Sequence, residues 1–345
     1  AGRVRFLGLM ADNYAVDEVR LTQAIESWLA ADSGERVTLE EELRNALEPP
    51  RMKLLTQFNE LPQGVKFLVD MREELLRLHR EHPKLAPLEA DLKRLLSAWF
   101  DVGLLQMEEI NWRSSAELLE KLIAYEAVHA IKSWNDLKNR LDSDRRCFAF
   151  FHPNMPEEPL IFVEVALVKG MANNVQELLD EAAPLEDIGL ADTAIFYSIS
   201  NAQKGLADIS FGNFLIKRVV NKLQREFPQL KRYATLSPIP GFCRWLETVE
   251  PTLESALLDE GVESRSPKHL QKMAAHYLCE EKKSRNPQYA RDPVAHFHLS
   301  NGAQIERLNW MADTSENGLK QSAGMMVNYL YELPQIESRS QGYSV

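Results

Sequence analysis

The stretch 193–223, TAIFYSISNAQKGLADISFGNFLIKRVVNKL, decides the fold class of the chain. Its apolar, β-branched and aromatic residues predict a strand over 193–200, and apolar residues at helical spacing predict a helix over 211–227. The loop between them contains Gly205 and Gly212. Such a loop can bind phosphate, because glycine lets a ligand approach the backbone and the first helical turn has free N–H groups. It matches neither standard glycine-rich phosphate motif, so an ordinary tight connection stays open as the alternative.

Strands and helices alternate on both sides of this stretch. Further strands are predicted over 147–151, 160–168 and 233–236, and helices over 174–182 and 266–283. The segments 294–310 and 325–333 look extended. Strands separated by helices indicate an α/β (α+β) domain.

The first 98 residues have a different character and read as helices only. Helices are predicted over 16–30, 39–47 and 65–80, and a capping box of Thr38 and Glu41 is expected to open the second. A second capping box, Ser114 with Glu117, is expected to open a helix that runs to about 127. The sequence therefore predicts an all-α helical bundle domain over 1–98 and a mixed domain over 99–345.

The composition is that of an ordinary globular protein. The 345 residues carry a net charge of −11, which argues against non-specific binding to nucleic acid or to an anionic membrane. There is no apolar run long enough to span a membrane and no full signal-peptide pattern, so a cytoplasmic location is expected. The three cysteines form no C-x-x-C pair, which predicts buried thiols rather than disulfides or a cysteine zinc site.

One region is locally basic in this acidic chain. Its basic side chains within 201–232 are Lys204, Lys217, Arg218, Lys222, Arg225, Lys231 and Arg232. Its acidic ones are Asp208 and Glu226. This surplus can attract a polyanion, although a solvated helix face would have the same composition.

The stretch 235–242, TLSPIPGF, places a serine where a strand should end. Pro238 biases Ser237 towards an extended backbone, and both prolines lack the N–H that a central strand needs. Sheet pairing is therefore expected to stop after Leu236, and Gly241 to allow a tight turn. The stiff backbone would hold the Ser237 hydroxyl in place, as catalysis requires. A rigid turn whose serine bonds its own backbone is the alternative.

A serine needs a partner for acid–base chemistry, and the chain offers eight histidines. His296 and His298 alternate, so in a strand both would point to one face. No third ligand has recognisable spacing, and no metal site is predicted. A histidine beside the polar turn 300–302 is a plausible proton carrier, because its ordinary pKa lies near neutrality.

Several long motifs, in order, resemble the malonyl-CoA decarboxylase family. They are FYSIS at 196–200, QKGL at 203–206, FLIKRVV at 214–220, LQREFP at 223–228, LSPIPGF at 236–242, PVAHFHLSNGA at 293–303 and NWMAD at 309–313. The resemblance covers most of residues 99–330, and RRC at 145–147 belongs to it. The helical part is similar in character more than in residues.

The resemblance implies a helical domain used in self-association, as a dimer or tetramer, and a catalytic domain similar to the GNAT acetyltransferases. The implied catalytic residues are Ser237 and His298, while His296 is not counted as catalytic. The implied coenzyme A (CoA) contacts are Ala207, Asp208, Ile209, Ser210, Phe211, Gly212 and Asn213. It also implies a cytoplasmic enzyme of fatty acid metabolism that needs no cofactor, since CoA is part of the substrate.

The implied reaction converts malonyl-CoA to acetyl-CoA and CO₂ through an enolate. Ser237 would donate a hydrogen bond to the malonyl carboxylate, or formally accept a proton, and His298 would protonate the carbanion. A GNAT-type N-acetyltransferase, which consumes acetyl-CoA with an amine, is the alternative function. A third is a non-catalytic CoA-sensing or scaffold protein.

Overall fold

The computed structural model describes residues 2–100, 102–209, 215–249, 266–284 and 286–344. Its contacts group the chain into two compact units. The helical unit comprises Ala1–Gln106, Phe151–Pro159 and Gln203–Phe211, and the sheet unit comprises Met107–Phe150, Leu160–Ala202 and Gly212–Val345. The division into consecutive domains 1–98 and 99–345 stays a prediction.

The helical unit contains the predicted bundle. Its helices are α1 (Gly2–Asn13), α2 (Glu18–Ala30), α3 (Arg36–Leu47), α4 (Pro50–Gln57), α5 (Gly64–Leu78) and α6 (Ala86–Trp99). The core consists of leucines at helical spacing, among them the fully buried Leu68 and Leu75 of α5 and Leu88, Leu92 and Leu96 of α6. The all-α prediction for this part is therefore confirmed.

The capping boxes are wrong in detail. Helix α3 begins at Arg36, so Thr38 lies inside it, and the residue before Arg36 makes no capping hydrogen bond through its side chain. The later helix α7 (Ala116–Tyr125) is capped by Ser115, whose Oγ accepts from the N–H of Leu118. Ser114 Oγ instead accepts from the N–H of Asn111, in the turn before the helix.

The sheet unit carries a mixed sheet. The strands are β1 (Gln106–Ile110), β2 (Arg145–Phe151), β3 (Ile161–Val168), β4 (Thr193–Asn201), β5 (Arg232–Thr235), β6 (Ser237–Pro238), β7 (Lys282–Lys283), β8 (Asn286–Ala290), β9 (Gln304–Asn309) and β10 (Met326–Leu330). The main sheet has the order β1-β2-β3-β4-β5-β10-β6, with β9 also paired to β10, and β7 and β8 form a separate pair.

Helices flank this sheet in the chain. After α7 they are α8 (Trp134–Arg140), α9 (Val175–Leu179), α10 (Leu215–Glu226), α11 (Phe242–Val249), α12 (Pro267–Cys279), α13 (Pro293–Ser300), α14 (Glu316–Ser322) and α15 (Ile336–Ser344). No helix among the described residues is long and apolar enough to cross a membrane.

The parallel pair β4–β5 positions the site. The pairs β2–β3 and β3–β4 are antiparallel, whereas β4 and β5 are parallel, from Thr193↔Arg232 to Phe196↔Thr235. Helix α10 lies in the crossover between them, so it begins at the carboxyl edge of these two strands. Ser237, two residues beyond β5, follows the same edge. The predicted α/β (α+β) domain is confirmed in this arrangement, and its likeness to the GNAT acetyltransferases stays an expectation.

Candidate active site

The backbone around Ser237 stays in the sheet, contrary to the prediction that pairing stops at Leu236. Ser237 and Pro238 of β6 pair with Val327 and Met326 of β10. Ala234 of β5 pairs with Leu330, which also belongs to β10. β5 and β6 therefore pair with β10 in the same register, and the ladder of backbone pairs is interrupted between Thr235 and Ser237. Pro238 fits here because β6 is the end of the sheet order, where no further strand needs its missing N–H.

Two side chains fill the interruption between β5 and β6. Asn328 is fully buried, and its Nδ2 donates to the backbone oxygen of Thr235 at 2.8 Å. The N–H of Tyr329 donates to Oγ1 of Thr235 at 3.2 Å. The side chain and backbone of Thr235 are thus both fixed, and Thr235 Oγ1 accepts the hydroxyl of Ser237 at 2.9 Å.

His298 lies on a helix and not on a strand. Residues 294–300 were expected to be extended, but α13 runs Pro293–Ser300. Asp292 caps it, because its Oδ1 accepts from the N–H groups of Val294 and Ala295, and Pro293 occupies the first turn. His296 and His298 therefore lie two residues apart on a helix, where their side chains diverge.

The side chains of Ser237 and His298 meet. Ser237 Oγ and His298 Nε2 are 3.0 Å apart, although the residues are 61 positions apart in the chain. The other ring nitrogen, Nδ1, lies 2.8 Å from the hydroxyl of Tyr331. The imidazole stacks on Tyr329, with ring centroids 4.5 Å apart. Both nitrogens are thus committed, and the ring has a fixed orientation.

Burial keeps this histidine neutral. His298 is 2% exposed, and burial lowers its pKa to about 3. Burial also raises the pKa of Tyr331 well above its usual value, so this phenol keeps its proton. The chain Tyr331–His298–Ser237–Thr235 is therefore uncharged at neutral pH, and protons can shift along it without any member starting as an ion.

Asp292 links the two halves of the site. It is fully buried, and burial raises the pKa of its carboxyl group. While Oδ1 caps the helix of His298, Oδ2 accepts from the N–H of Gly241, at 3.3 Å, in the turn after Ser237. Gly241 must be glycine because a Cβ there would lie 2.1 Å from the hydroxyl of Tyr277.

His296 has a separate environment. Its Nδ1 lies 3.1 Å from the hydroxyl of Tyr343 on α15, and its ring packs against Tyr289. Burial, and secondarily Lys283, lowers its pKa. Among the described residues, no group of three or more His, Cys, Asp or Glu side chains has an arrangement that could hold a metal.

Comparison with known proteins decides the family. The family model described as the malonyl-CoA decarboxylase N-terminal domain matches residues 14–100, and that of the C-terminal domain matches residues 103–345. A mitochondrial malonyl-CoA decarboxylase of Rattus norvegicus is 37% identical over 99% of this chain and 79% of its own length. The chain belongs to the malonyl-CoA decarboxylase family. The resemblance seen in the sequence is confirmed.

Solved structures of this malonyl-CoA decarboxylase family agree. The enzyme from Rhodopseudomonas palustris is 41% identical, with a TM-score of 0.89 over 99% of this chain and 86% of its own. The enzyme from Cupriavidus metallidurans is 40% identical, with a TM-score of 0.74 over 99% of this chain and 95% of its own.

The predicted CoA segment is described in part. Ala207, Asp208 and Ile209 lie in the helical unit, after a short turn at Lys204–Leu206. Asp208 has a left-handed backbone, with φ of 60°. Ser210, Phe211, Gly212 and Asn213 lie outside the described residues.

Sequence reasoning missed four residues that build this candidate site: Thr235, Asp292, Asn328 and Tyr331. Asp292 had a signal, since Asp followed by Pro is typical of a helix start. The prediction of buried cysteines is wrong for one of the three: Cys147 and Cys243 are buried, but Cys279 is exposed.

Proposed function

We propose that this chain converts malonyl-CoA to acetyl-CoA and CO₂, with Ser237 and His298 as its catalytic residues. The observation that carries the proposal is the 3.0 Å contact between Ser237 Oγ and His298 Nε2 in a buried, neutral site. Family membership supplies the substrate, because the matching relatives are named malonyl-CoA decarboxylases.

The reaction needs no external electron sink. The bond between the carboxylate carbon and the α-carbon breaks, CO₂ leaves, and the electron pair passes into the thioester carbonyl as an enolate. A proton on the α-carbon then gives the acetyl group. The protein must hold the carboxylate, stabilise the enolate oxygen and supply the proton.

The hydrogen bonds suggest how the proton is supplied. Ser237 donates to Thr235, so its oxygen can accept from Nε2–H of His298, while Nδ1 accepts from Tyr331. With substrate bound, the Ser237 hydroxyl turns to the malonyl carboxylate, and Nε2–H of His298 protonates the α-carbon. Nδ1 takes the proton of Tyr331 as Nε2 loses its own. When the product leaves, water returns a proton to Nε2 and Nδ1 returns its proton to Tyr331, which restores the starting state. In the alternative assignment of roles, Ser237 acts as a formal proton acceptor paired with His298, instead of donating a hydrogen bond to the carboxylate.

We further propose that residues 207–213 bind CoA, with its diphosphate at the loop before α10. The support is the family resemblance of this loop and the helix that follows it. Replacing Gly212 by a bulky residue is expected to raise KM for malonyl-CoA more than it lowers kcat. An unchanged KM would move the CoA site elsewhere.

A single incubation tests the function. The protein is given malonyl-CoA with no amine, and acetyl-CoA and CO₂ are measured. A decarboxylase forms both in equal amounts. A GNAT-type N-acetyltransferase, which the family match does not favour, forms neither without an acceptor, and a CoA-sensing protein binds the ester unchanged.

Self-association and location complete the proposal. Helices α2 and α3 form a hairpin, and no residue of α2 is buried. The apolar side chains that the hairpin exposes are Val19, Ile25, Leu29, Val37 and Leu47. These apolar side chains fit a second copy of the chain, in a dimer or tetramer. A cytoplasmic location is proposed from the similarity to bacterial enzymes, and cell fractionation tests it.

A further inference from the structure

A buried arginine of the helical bundle holds the turn that leads into the proposed CoA segment. Arg72 of α5 is fully buried. Its Nη1 donates to the backbone oxygens of Gly205, at 2.6 Å, and Ala207, at 2.8 Å. Its Nε and Nη2 lie 3.0 Å and 2.9 Å from Oε1 of Glu89 on α6. The guanidinium group therefore joins two helices to this turn, with its charge paired.

The turn also packs tightly on α5. A Cβ at Gly205 would lie 1.9 Å from the backbone oxygen of Val69, one turn before Arg72. Leu206 is fully buried, and Gln203 Nε2 donates to the backbone oxygen of Pro159 at 3.0 Å. The turn has no room to shift towards the helix.

The direction of one peptide unit follows from this contact. A trans peptide is planar, with its C=O and N–H pointing in opposite directions. Because the oxygen of Ala207 points at Arg72, the N–H of Asp208 points away from the bundle. Asp208 has a left-handed backbone after the extended Ala207, and the N–H groups of Ala207 and Ile209 donate to the backbone oxygens of Lys204 and Leu206 within the turn. Of these three N–H groups, that of Asp208 is therefore the one that can face an anion.

We infer that Arg72 is a positioning residue for CoA: by holding the oxygen of Ala207, it orients the backbone N–H of Asp208 towards the CoA diphosphate. The inference rests on the proposed function, and it gives the helical bundle a part in substrate binding. Arg72 itself is buried and paired to Glu89, so it acts through the turn and not by contact with the phosphates.

The test compares Arg72→Gln with a matched control, Arg51→Gln. Arg51 of α4 is likewise buried, pairs with Asp91 of α6 at 2.7 Å and donates to backbone oxygens, but those belong to Ala11 and Tyr14. Both variants lose a buried ion pair of the same unit. Only Arg72→Gln releases the CoA turn.

The readouts separate CoA binding from general damage. For Arg72→Gln, we expect roughly 10- to 100-fold increases in KM for malonyl-CoA and in Kd for CoA, the effect of losing one hydrogen bond to a charged group. We expect kcat to change by less than about threefold, and KM for malonyl-pantetheine, which lacks the diphosphate, to stay unchanged. Arg51→Gln should change none of these.

Two results would overturn the inference: equal increases in KM for both substrates, or an unchanged Kd for CoA. If Arg72→Gln does not fold, Glu89→Gln, which keeps the arginine and weakens its support, should raise the Kd for CoA a few-fold, and no change would count against the inference. Calorimetry of CoA does not depend on turnover. Tight CoA binding without acetyl-CoA formation by the wild type would therefore contradict the proposed function alone.

Discussion

Tyr331 holds the Nδ1 atom of the His298 imidazole. Its hydroxyl lies 2.8 Å from Nδ1, and in the proposed mechanism it donates there, so that Nε2 is the N–H that faces Ser237. Without that hydroxyl, the buried Nδ1 has no partner, and the ring loses both its orientation and its preferred tautomer. The same principle of a neutral donor fixed by a second hydrogen bond applies to many catalytic histidines.

Tyr331→Phe is therefore expected to lower kcat for malonyl-CoA by roughly 10- to 100-fold, the effect of one buried hydrogen bond to a catalytic group, with KM nearly unchanged. Tyr343→Phe is the matched control, since it removes a hydroxyl from Nδ1 of the non-catalytic His296. Steady-state kinetics of both variants check the prediction. Equal losses in the two variants would contradict it.

The neutral state of His298 also has a consequence for stability. The folded state lowers its pKa to about 3, so between pH 6.5 and 3 the unfolded chain binds a proton here that the folded protein does not. The contribution of His298 to the free energy of unfolding is complete above the ordinary histidine pKa. It decreases by about 1.4 kcal/mol for each pH unit that the solution is acidified below that pKa.

His298→Asn removes that dependence. Urea unfolding at about pH 7 and about pH 5.5 should show that the wild type loses roughly 1 kcal/mol more than the variant on acidification. The other buried histidines are present in both proteins, so their effects cancel in the difference. If the wild type and the variant lose the same free energy of unfolding on acidification, His298 is not held neutral in the folded protein.

Among the elements, helix α13 is capped by the carboxylate of Asp292, which also accepts a hydrogen bond from Gly241 in the turn after Ser237. Asp292→Ala is expected to cost about 1–2 kcal/mol of stability for the lost cap and to lower kcat, because the support shared by His298 and Gly241 is removed. Ser115→Ala, which removes the cap of α7, is the control. It should destabilise the protein without affecting kcat, and chemical unfolding with kinetics measures both effects.

Equal kcat in the two cap variants would mean that Asp292 serves the helix alone. Asp292→Asn refines the result, because an amide keeps a capping oxygen for Val294 and Ala295 but presents N–H₂ to the N–H of Gly241. It should retain most of the stability and lose part of kcat.

The strands that the sequence predicted best are those buried on both faces. β3 is buried along its whole length, so apart from Glu164 it reads as one apolar run, and its predicted range agrees with Ile161–Val168 to within a residue. The helix α13 was missed because the alternation of His296 and His298 suggested a strand. The Asp292–Pro293 start signal pointed the other way, and it was the correct one.

The candidate site was predictable only in part. Ser237 and His298 came from family motifs, and residue patterns alone had left Ser237 as either a catalytic group or a turn. Asn328 and Tyr331 could not be found from local sequence, because their roles depend on the pairing of β10 with β5 and β6 across about ninety residues. Such long-range register is set by the packed core, which no short pattern encodes.

At the scale of the whole molecule, the α2–α3 hairpin leaves apolar side chains in water. Leu21, Ala24 and Trp28 of α2 are half-buried, whereas Ile25 and Leu29 are exposed by 41% and 61%. An amphipathic helix with a second apolar stripe in water is expected to find a partner.

Ile25→Glu combined with Leu29→Glu should therefore shift the protein to a smaller species, because each charge would have to be buried in the interface. Gln23→Glu with Ser27→Glu puts the same charges at the same spacing on the polar side of α2 and should leave the assembly intact. Sedimentation velocity distinguishes the two. If both double variants keep the wild-type size, the interface lies elsewhere.

The catalytic pair is tested most directly by single-turnover conversion of malonyl-CoA to acetyl-CoA, without an amine, in the wild type and in two variants. Ser237→Ala and His298→Asn should each bind CoA with wild-type affinity, keep the wild-type circular dichroism spectrum, and convert the substrate about 10²- to 10⁴-fold more slowly. A variant that is folded, binds CoA and forms acetyl-CoA at nearly the wild-type rate would contradict the role given to that residue.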